Sequence, residues 1–181
     1  MKACRLEPVD ATPVWFMRQA GRYMPEYRKL REKYTLLEMV AQPELAAEVT
    51  LQPIKAFGMD AAILFADILL PLQPMGVDFE FVPGKGPRVQ YPVRTAADVA
   101  ALKPVEAEAS LGHVMDAIRI LRGELTDTPL IGFCGAPFTV ASYMIEGGQS
   151  KDYKMAKSMM DNTPEVWHAF MEKLTAVLID Y

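Results

Sequence analysis

Apolar residues in this sequence form short continuous runs that alternate with longer stretches of mixed polarity. Three such runs place apolar residues nearly consecutively, at residues 12–17 (TPVWFM), 59–69 (MDAAILFADIL) and 129–135 (PLIGFCG). Consecutive apolar residues are typical of parallel strands that are covered on both faces. The pattern therefore predicts three buried strands.

Helix signals mark the stretches between and after these strands. The predicted helices occupy residues 25–34, 42–58, 95–102, 110–125 and 136–148, followed by two more from about residue 153 and from residue 164 to the end. Pro43 stands at a first helical position and Gly58 at a helix end, the usual places for these residues. Thr95 and Asp98 form an approximate capping box.

A different pattern separates the second strand from the later helices. Residues 76–82 (GVDFEFV) alternate between apolar and polar positions, which is typical of a small ribbon with one exposed face. The next residues, 83–87 (PGKGP), form a turn-rich loop, and we interpret Lys85 as a solvated loop residue.

The strand–helix unit repeats three times, which indicates a parallel α/β fold. Two architectures compete, an open doubly wound sheet and a (β/α) barrel. No strand is followed by the pattern GxGxxG, and the PGKGP loop lacks the features of a phosphate loop, so a nucleotide-binding sheet is disfavoured. A barrel has eight units in roughly 250 residues, and this chain has room for three or four. We therefore predict a single domain over residues 1–181 that covers roughly the first half of a barrel.

Composition and charge exclude several classes of function. The chain has 181 residues, of which 51% are hydrophobic and 23% charged, as in compact soluble domains. A net charge of −4 argues against a nucleic-acid partner. No apolar run approaches the roughly 18 residues of a membrane span, and the start of the chain has no signal-peptide pattern. Two cysteines form no disulfide or metal pattern, so we expect a cytoplasmic protein without a metal site.

The first predicted strand leads directly into the motif RQAGR. In a barrel, functional side chains follow the C-terminal ends of the strands. Arg18, Gln19 and Arg22 surround Ala20 and Gly21 at this strand end. Guanidinium groups bind carboxylates through two parallel hydrogen bonds, so the motif predicts a ligand with several carboxylates. The alternative is a pair of surface arginines that hold the following helix.

Asp67 lies at the end of the second predicted strand, and Tyr143 lies in the stretch that follows the third. A carboxylate does not help to bind an anion, so at a shared site Asp67 would serve an N–H donor or a developing positive charge. The alternatives are a turn-forming role for Asp67 and an ordinary half-buried helix position for Tyr143. His113 and His168 lie on predicted helices far from any strand end, and we interpret both as structural.

Five segments together resemble the uroporphyrinogen decarboxylase family. They are TPVWFMRQAGRYMPEYR, FADILLPLQPMG, VPGKGP, LIGFCGAPFTVASYMIEGG and the TLQP of EVTLQPIKAFGMDAAILF. The resemblance extends over essentially the whole chain, and RQAGRY is among its most specific parts. It implies a (β/α)8 TIM barrel, a homodimer, and catalysis without a cofactor or metal. It also implies removal of CO2 from the four acetate side chains of uroporphyrinogen III, giving coproporphyrinogen III in haem biosynthesis.

The resemblance also implies roles for particular residues. The segment from Arg18 to Arg22 would bind the substrate, and its two arginines would hold acetate and propionate carboxylates. Asp67 would accept hydrogen bonds from the pyrrole N–H groups and stabilise the cation that forms when a pyrrole carbon is protonated. Tyr143 would lie near the reacting acetate. The predicted catalytic residues are therefore Arg18, Asp67 and Tyr143.

Members of that family are longer than this chain, and their second half carries a further site serine and histidine. The chain is therefore predicted to be a truncated N-terminal part, whose activity depends on whether it assembles a working site. Two alternatives stay open. A barrel methyltransferase of the same superfamily would want zinc ligands from His and Cys, whereas a non-catalytic tetrapyrrole-binding fragment would bind the macrocycle without turnover.

Overall fold

Helices dominate the computed structural model, which describes residues 1–14, 21 and 23–181. The helices are α1 (Pro25–Arg31), α2 (Leu36–Val40), α3 (Pro43–Phe57), α4 (Ala96–Ala101), α5 (Ala107–Glu124), α6 (Pro137–Glu146), α7 (Lys154–Asn162) and α8 (Pro164–Asp180). The strands are β1 (Ala62–Ile63), β2 (Phe79–Val82), β3 (Gly86–Val89) and β4 (Leu130–Ile131). Short 3₁₀ turns occupy Ala3–Arg5 and Leu70–Leu72. Among the described residues, no helix is both long and apolar enough to cross a bilayer.

The predicted helices are confirmed, and local signals explain where they begin and end. Pro43 begins α3, where its missing N–H costs no hydrogen bond, and Gly58 ends the helix in the left-handed conformation with φ of 60°. α6 likewise begins at Pro137 and ends before Gly147, whose φ is 84°. Both glycines adopt a backbone conformation that residues with a Cβ disfavour.

The sequence patterns did not predict α2, although its signal is present. Thr35 and Glu38 form a reciprocal capping box, in which Thr35 Oγ1 accepts a hydrogen bond from Glu38 N (3.2 Å) and Thr35 N donates to Glu38 Oε2 (2.7 Å). The helix has only five residues, too few for apolar periodicity to reveal it.

β1 and β4 run parallel, as predicted, but β4 is not the buried strand that its apolar run predicted, because Leu130 is partly exposed and Ile131 is exposed. Ala62 pairs with Leu130 and Ile63 with Ile131, so β1 and β4 form a two-stranded sheet. The N–H of Ala62 donates to the carbonyl of Pro129 at 2.9 Å. The α/β prediction is therefore confirmed, with strands much shorter than the apolar runs that predicted them.

The apolar run at residues 59–69 continues past β1 because the turn that follows is itself buried. Leu69 is 1% exposed, and the 3₁₀ turn Leu70–Leu72 is buried throughout.

The first predicted strand has a different outcome. Residues 12–14 have no regular structure, and residues 15–17 lie outside the described residues.

The predicted ribbon is confirmed as an antiparallel hairpin of β2 and β3. Phe79 lies opposite Val89, and both side chains are buried, while Val82 lies opposite Gly86 at the turn. Gly84 and Gly86 have φ of 75° and 79°, which a turn this tight requires and which glycine adopts without strain.

The chain divides into two compact units, each assembled from two separate segments. The first unit comprises Met1–Ala66 with Gly112–Phe133, and the second comprises Asp67–Leu111 with Cys134–Tyr181. The prediction of a single domain over the whole chain stays a prediction.

Aromatic and aliphatic side chains form the core of the first unit. Met24 and Met39 are buried, and the buried ring of Tyr27 meets Phe65 edge to face with centroids 5.9 Å apart. The backbone N–H of Phe65 donates to Thr50 Oγ1 at 2.9 Å, which ties the segment after β1 to α3.

Three helices share the core of the second unit, where α6 packs against α7 and α8. Val140, Met144 and Ile145 of α6 are fully inaccessible to solvent, as are Phe170 and Leu174 of α8. Burial of a large apolar side chain contributes about 1.5–3 kcal/mol. This shared core therefore fixes the position of α6.

Two charged side chains on α8 cap other helices of the same unit. Asp180 Oδ2 accepts a hydrogen bond from Ala107 N, at the start of α5, at 2.7 Å. Lys173 Nζ donates to the carbonyls of Val99 (2.9 Å) and Ala100 (3.3 Å) near the end of α4. Asp180 thus satisfies an N–H at the start of α5 that has no acceptor within that helix, and Lys173 places a positive charge at the C-terminal end of α4.

Replacing Thr95 by Ala should lower the free energy of unfolding by about 1 kcal/mol, because it removes an N-cap. Thr95 Oγ1 accepts from Asp98 N (3.2 Å), and Thr95 N donates to Asp98 Oδ2 (2.8 Å), a confirmed capping box. Urea denaturation measures the change. Thr95→Ser keeps the hydroxyl and should stay near wild type, so equal losses in the two variants would contradict the capping role.

Candidate functional site

Asp67 lies four residues after β1, where it forms a turn. Its Oδ1 accepts a hydrogen bond from Leu69 N at 2.8 Å, and its carbonyl accepts one from Leu70 N at 3.4 Å. The turn-forming interpretation of Asp67 is therefore confirmed. The same turn fixes the direction of the carboxylate, because Oδ1 is held by the backbone.

Burial sets the electrostatic state of Asp67. Desolvation raises the pKa of its carboxyl above the ordinary value, and the hydrogen bond from Leu69 N opposes that rise. Oδ2 makes no hydrogen bond to any part of the chain that the structure describes. A partly desolvated carboxylate with one unused oxygen is suited to accept an N–H group or to face a positive charge.

Tyr143 lies on α6, between the buried residues Ser142 and Met144, and is itself half-buried. It lines a cavity of about 590 Å³ within the second unit. The lining also includes Lys85, Phe138, Ser142, Lys151 and Tyr153. Among the described residues, no side chain forms a hydrogen bond with the Tyr143 hydroxyl, which is therefore available to a bound molecule.

Gly135 brings the loop before α6 against the turn that carries Asp67. A Cβ at Gly135 would overlap Val140 Cγ2 and would lie 3.2 Å from Ile68 Cβ. Only glycine fits at this close approach. Asp67 and Tyr143 thus belong to the same compact unit, but Asp67 is not among the residues that line the cavity of Tyr143.

The arginine motif is described only at its glycine. Arg18, Gln19, Ala20 and Arg22, predicted to bind substrate, lie outside the described residues. Gly21 is buried, and its carbonyl accepts a hydrogen bond from the N–H of the residue three positions later at 2.7 Å, which leads the chain into α1. The roles predicted for these residues stay predictions.

Sequence reasoning missed two residues near the candidate site. Burial raises the pKa of the Tyr181 phenol, and the negative charges of Cys134 and Asp67 raise it further, so Tyr181 lies within electrostatic reach of Asp67. Lys151 lines the cavity beside Tyr143. Neither belongs to a strand end or a recognised motif, and folding alone brings them to these positions.

The two histidines lie on helices, as predicted. His113 is half-buried on α5, where burial lowers the pKa of its imidazole and the nearby charge of Asp116 opposes that change. His168 is exposed on α8. The described residues contain no group of three or more His, Cys, Asp or Glu side chains placed to hold a metal ion.

Comparison with known proteins gives a match over the whole chain. The family model for uroporphyrinogen decarboxylase matches residues 1–181. A uroporphyrinogen decarboxylase of Sorangium cellulosum (strain So ce56) is 61% identical over 98% of this chain and 51% of its own length. One from Chloroflexus aggregans (strain MD-66 / DSM 9485) is 54% identical over 100% of this chain and 51% of its own length. The chain thus spans about half the length of the curated relatives it matches.

A solved structure supports the fold independently of close sequence similarity. A methyltransferase from Methanosarcina mazei superposes with a TM-score of 0.71 at 21% sequence identity. The alignment covers 97% of this chain and 51% of that one. At this identity the likeness concerns the fold alone, and it agrees with the barrel class predicted from the strand–helix repeats.

Replacing Gly135 by Ala should lower the free energy of unfolding by about 1–3 kcal/mol, because the added methyl group overlaps Val140 and crowds Ile68. Thermal or urea denaturation measures the change. Gly132→Ala is the matched control, since a Cβ at Gly132 meets no atom of the described residues within 4 Å. Equal stability of the two variants would contradict the close-packing role of Gly135.

Replacing Asp67 by Asn should stabilise the fold at neutral pH. The raised pKa means that the folded state favours the protonated carboxyl, so wild-type stability falls as pH rises from the unfolded-state pKa to the folded one. The substituted amide side chain keeps an oxygen acceptor for Leu69 N but carries no charge. Urea titrations from acid to neutral pH should therefore show a difference that appears only as pH rises.

The matched control for this titration is Asp78→Asn, at an exposed position of the same unit. It should give no comparable gain at neutral pH. An Asp67→Asn protein that is less stable than wild type at neutral pH would show that the charged form of Asp67 is favoured by the fold.

Proposed function

This chain belongs to the uroporphyrinogen decarboxylase family, and we propose that it carries part of the active site of a uroporphyrinogen decarboxylase. The proposed enzyme is a carboxy-lyase that removes CO2 from the four acetate side chains of uroporphyrinogen III and forms coproporphyrinogen III. The family match over residues 1–181 and the 61% and 54% identity to two curated relatives support this assignment.

Decarboxylation requires an acceptor for the electron pair of the C–C bond that breaks. When the C–C bond to an acetate carboxylate breaks, its electron pair stays on the substrate. Protonation of the adjacent pyrrole carbon creates a cation that accepts this pair, so CO2 leaves and a neutral exocyclic methylene remains. Proton addition to the methylene and proton loss from the ring then give a methyl-substituted pyrrole. The substrate itself supplies the electron sink, so the proposed reaction uses no cofactor.

The observation that carries this proposal is the partly buried Asp67 carboxylate in the turn that follows β1. One oxygen is held by Leu69 N at 2.8 Å, and the other makes no hydrogen bond among the described residues. A carboxylate fixed in advance can accept pyrrole N–H groups and stabilise the developing cation without reorganising. Hydrogen bonds from pyrrole N–H groups, and then the cation that forms on protonation, would lower the pKa that burial raises and so favour ionised Asp67 during the reaction.

The other proposed roles follow from residue type and position. Arg18 and Arg22 hold carboxylates of the substrate, and so position the macrocycle, because guanidinium groups form paired hydrogen bonds with carboxylates. Tyr143 presents a hydroxyl to a cavity and lies near the reacting acetate. In this proposal Gln19 adds a neutral donor to the arginine segment.

The proposal extends to partners and location. The partner is the tetrapyrrole substrate, and a homodimer and a cytoplasmic location stay predictions. Because the chain spans about half the length of its relatives, one further candidate function is a tetrapyrrole-binding part that does not turn the substrate over.

The direct test is anaerobic incubation of the purified chain with uroporphyrinogen, with products separated by their number of carboxylates. We expect products with seven to four carboxylates. Asp67→Asn should lower turnover by about a hundredfold or more while uroporphyrin binding changes little, because it removes the charge that stabilises the cation.

Asp78→Asn controls for loss of one exposed carboxylate and should leave turnover unchanged. Equal turnover by Asp67→Asn and wild type would contradict the role of Asp67. Uroporphyrin binding without turnover by the wild-type chain would favour the tetrapyrrole-binding alternative over the enzyme.

A further inference from the structure

The cavity beside Tyr143 is positively charged in a chain whose net charge is −4. Lys85 and Lys151 both line it, and none of the described residues that line it is Asp or Glu. Hydroxyl groups and an amide complete its polar surface, including those of Thr139, Ser150 and Gln149. Ammonium groups and neutral hydrogen-bond donors are groups that bind anions, so this lining is suited to an anion.

The hairpin that carries Lys85 is fastened to the end of α6. Val89 N donates to the carbonyl of Gly147 at 3.0 Å, and Arg88 forms an antiparallel bridge with Gly148. A Cβ at Gly148 would lie only 3.0 Å from the carbonyl oxygen of Pro87. The backbone that leads to Lys85 is therefore fixed beside the helix that carries Tyr143.

The acidic residues nearest in sequence to Lys151 already have other partners. Glu146 Oε1 accepts hydrogen bonds from Met155 N (2.9 Å) and Ala156 N (3.0 Å) in the first turn of α7. Asp152 lies 4.0 Å from Lys154 Nζ. Within the part of the chain that the structure describes, neither Lys85 nor Lys151 forms an ion pair.

We propose that Lys85 and Lys151 form a carboxylate-binding subsite that holds an acidic side chain of the tetrapyrrole beside Tyr143. The inference rests on the proposed function and extends it to residues outside the arginine motif. Lysine suits this task because its flexible stem lets the ammonium follow carboxylates at different positions. A substrate that loses four carboxylates in turn presents such changing positions.

The test is a fluorescence titration of the chain with uroporphyrin, the stable oxidised form of the macrocycle with eight carboxylates. Lys85→Gln and Lys151→Gln should each weaken binding about five- to tenfold, because each removes a charge-assisted hydrogen bond. The double variant should also show a shallower dependence of affinity on salt concentration, which a purely structural effect would not produce.

The matched control is the double variant Lys55→Gln and Lys157→Gln. Both positions are exposed lysines outside the cavity, so the variant has the same net charge as the double subsite variant. Its affinity for uroporphyrin should stay within about twofold of wild type. If the two double variants weakened uroporphyrin binding equally, the effect would come from overall charge, and the subsite would be overturned.

Competition identifies the anion that the cavity takes. Coproporphyrin, with four carboxylates, should bind more weakly than uroporphyrin to wild type, and the difference should shrink in the double subsite variant. Inorganic phosphate should displace uroporphyrin no better than chloride at equal ionic strength. Stronger displacement by phosphate would show a general anion site and overturn the carboxylate assignment.

Failure of this inference and failure of the proposed function give different results. Wild-type binding that neither lysine substitution alters overturns the subsite, while turnover abolished by Asp67→Asn still supports the enzyme. Loss of binding in the lysine variants without any turnover in wild type supports the subsite and contradicts the decarboxylase activity of this chain. Absence of uroporphyrin binding by wild type overturns the subsite.

Discussion

Burial of one face of α6 is the constraint on which the second compact unit depends. Val140, Met144 and Ile145 are fully inaccessible to solvent and pack among α7 and α8. Close-packed interiors leave little freedom for such side chains to shift. The opposite side of the same helix can therefore present Tyr143 to a cavity in a fixed direction.

The last carbonyl groups of α6 also fix the position of the segment that follows the hairpin. A helix leaves its final carbonyl groups without internal partners. Here Met144 O accepts from Val93 N (3.0 Å), and Ile145 O accepts from Arg94 Nε (3.0 Å). With the bond from Val89 N to the Gly147 carbonyl, these contacts hold the irregular segment that follows the hairpin against the end of α6. The packing of α6 thus determines the position of Tyr143 directly and that of Lys85 through the attached hairpin.

Local signals explain what the sequence could predict. Proline at helix starts, glycine at helix ends and the Thr95 capping box act within a few residues, so α3, α4 and α6 are recognisable without knowledge of the fold. The strands were overestimated because an apolar run reports burial rather than extended conformation. Residues 59–69 are apolar in order to fill both β1 and the buried turn after it. Asp67 and Tyr143 were predicted because they follow strands, a position that the barrel class makes informative.

What sequence reasoning missed depends on contacts between distant segments. No local sequence signal distinguishes Lys151, and only the folded chain places it at the cavity that Tyr143 lines. Lys85 is exposed, as expected for a loop residue, but its hairpin is bonded to the end of α6. Tyr181 carries no motif, and only its raised pKa and the nearby charges of Cys134 and Asp67 connect it with the candidate site.

The division into units that are each built from two segments has a consequence for synthesis of the chain. Among the described strands, β1 pairs only with β4, so the first unit lacks its sheet until residues near Ile131 have left the ribosome. The hairpin and α4 likewise wait for α6 and α8 before their apolar faces are covered. Contacts between residues so distant in sequence form late, because closing a long loop costs entropy before any contact compensates. A nascent chain halted near residue 111 would therefore expose the face of α4 that packs against α8, including Val99, and chaperones would bind such an exposed apolar surface.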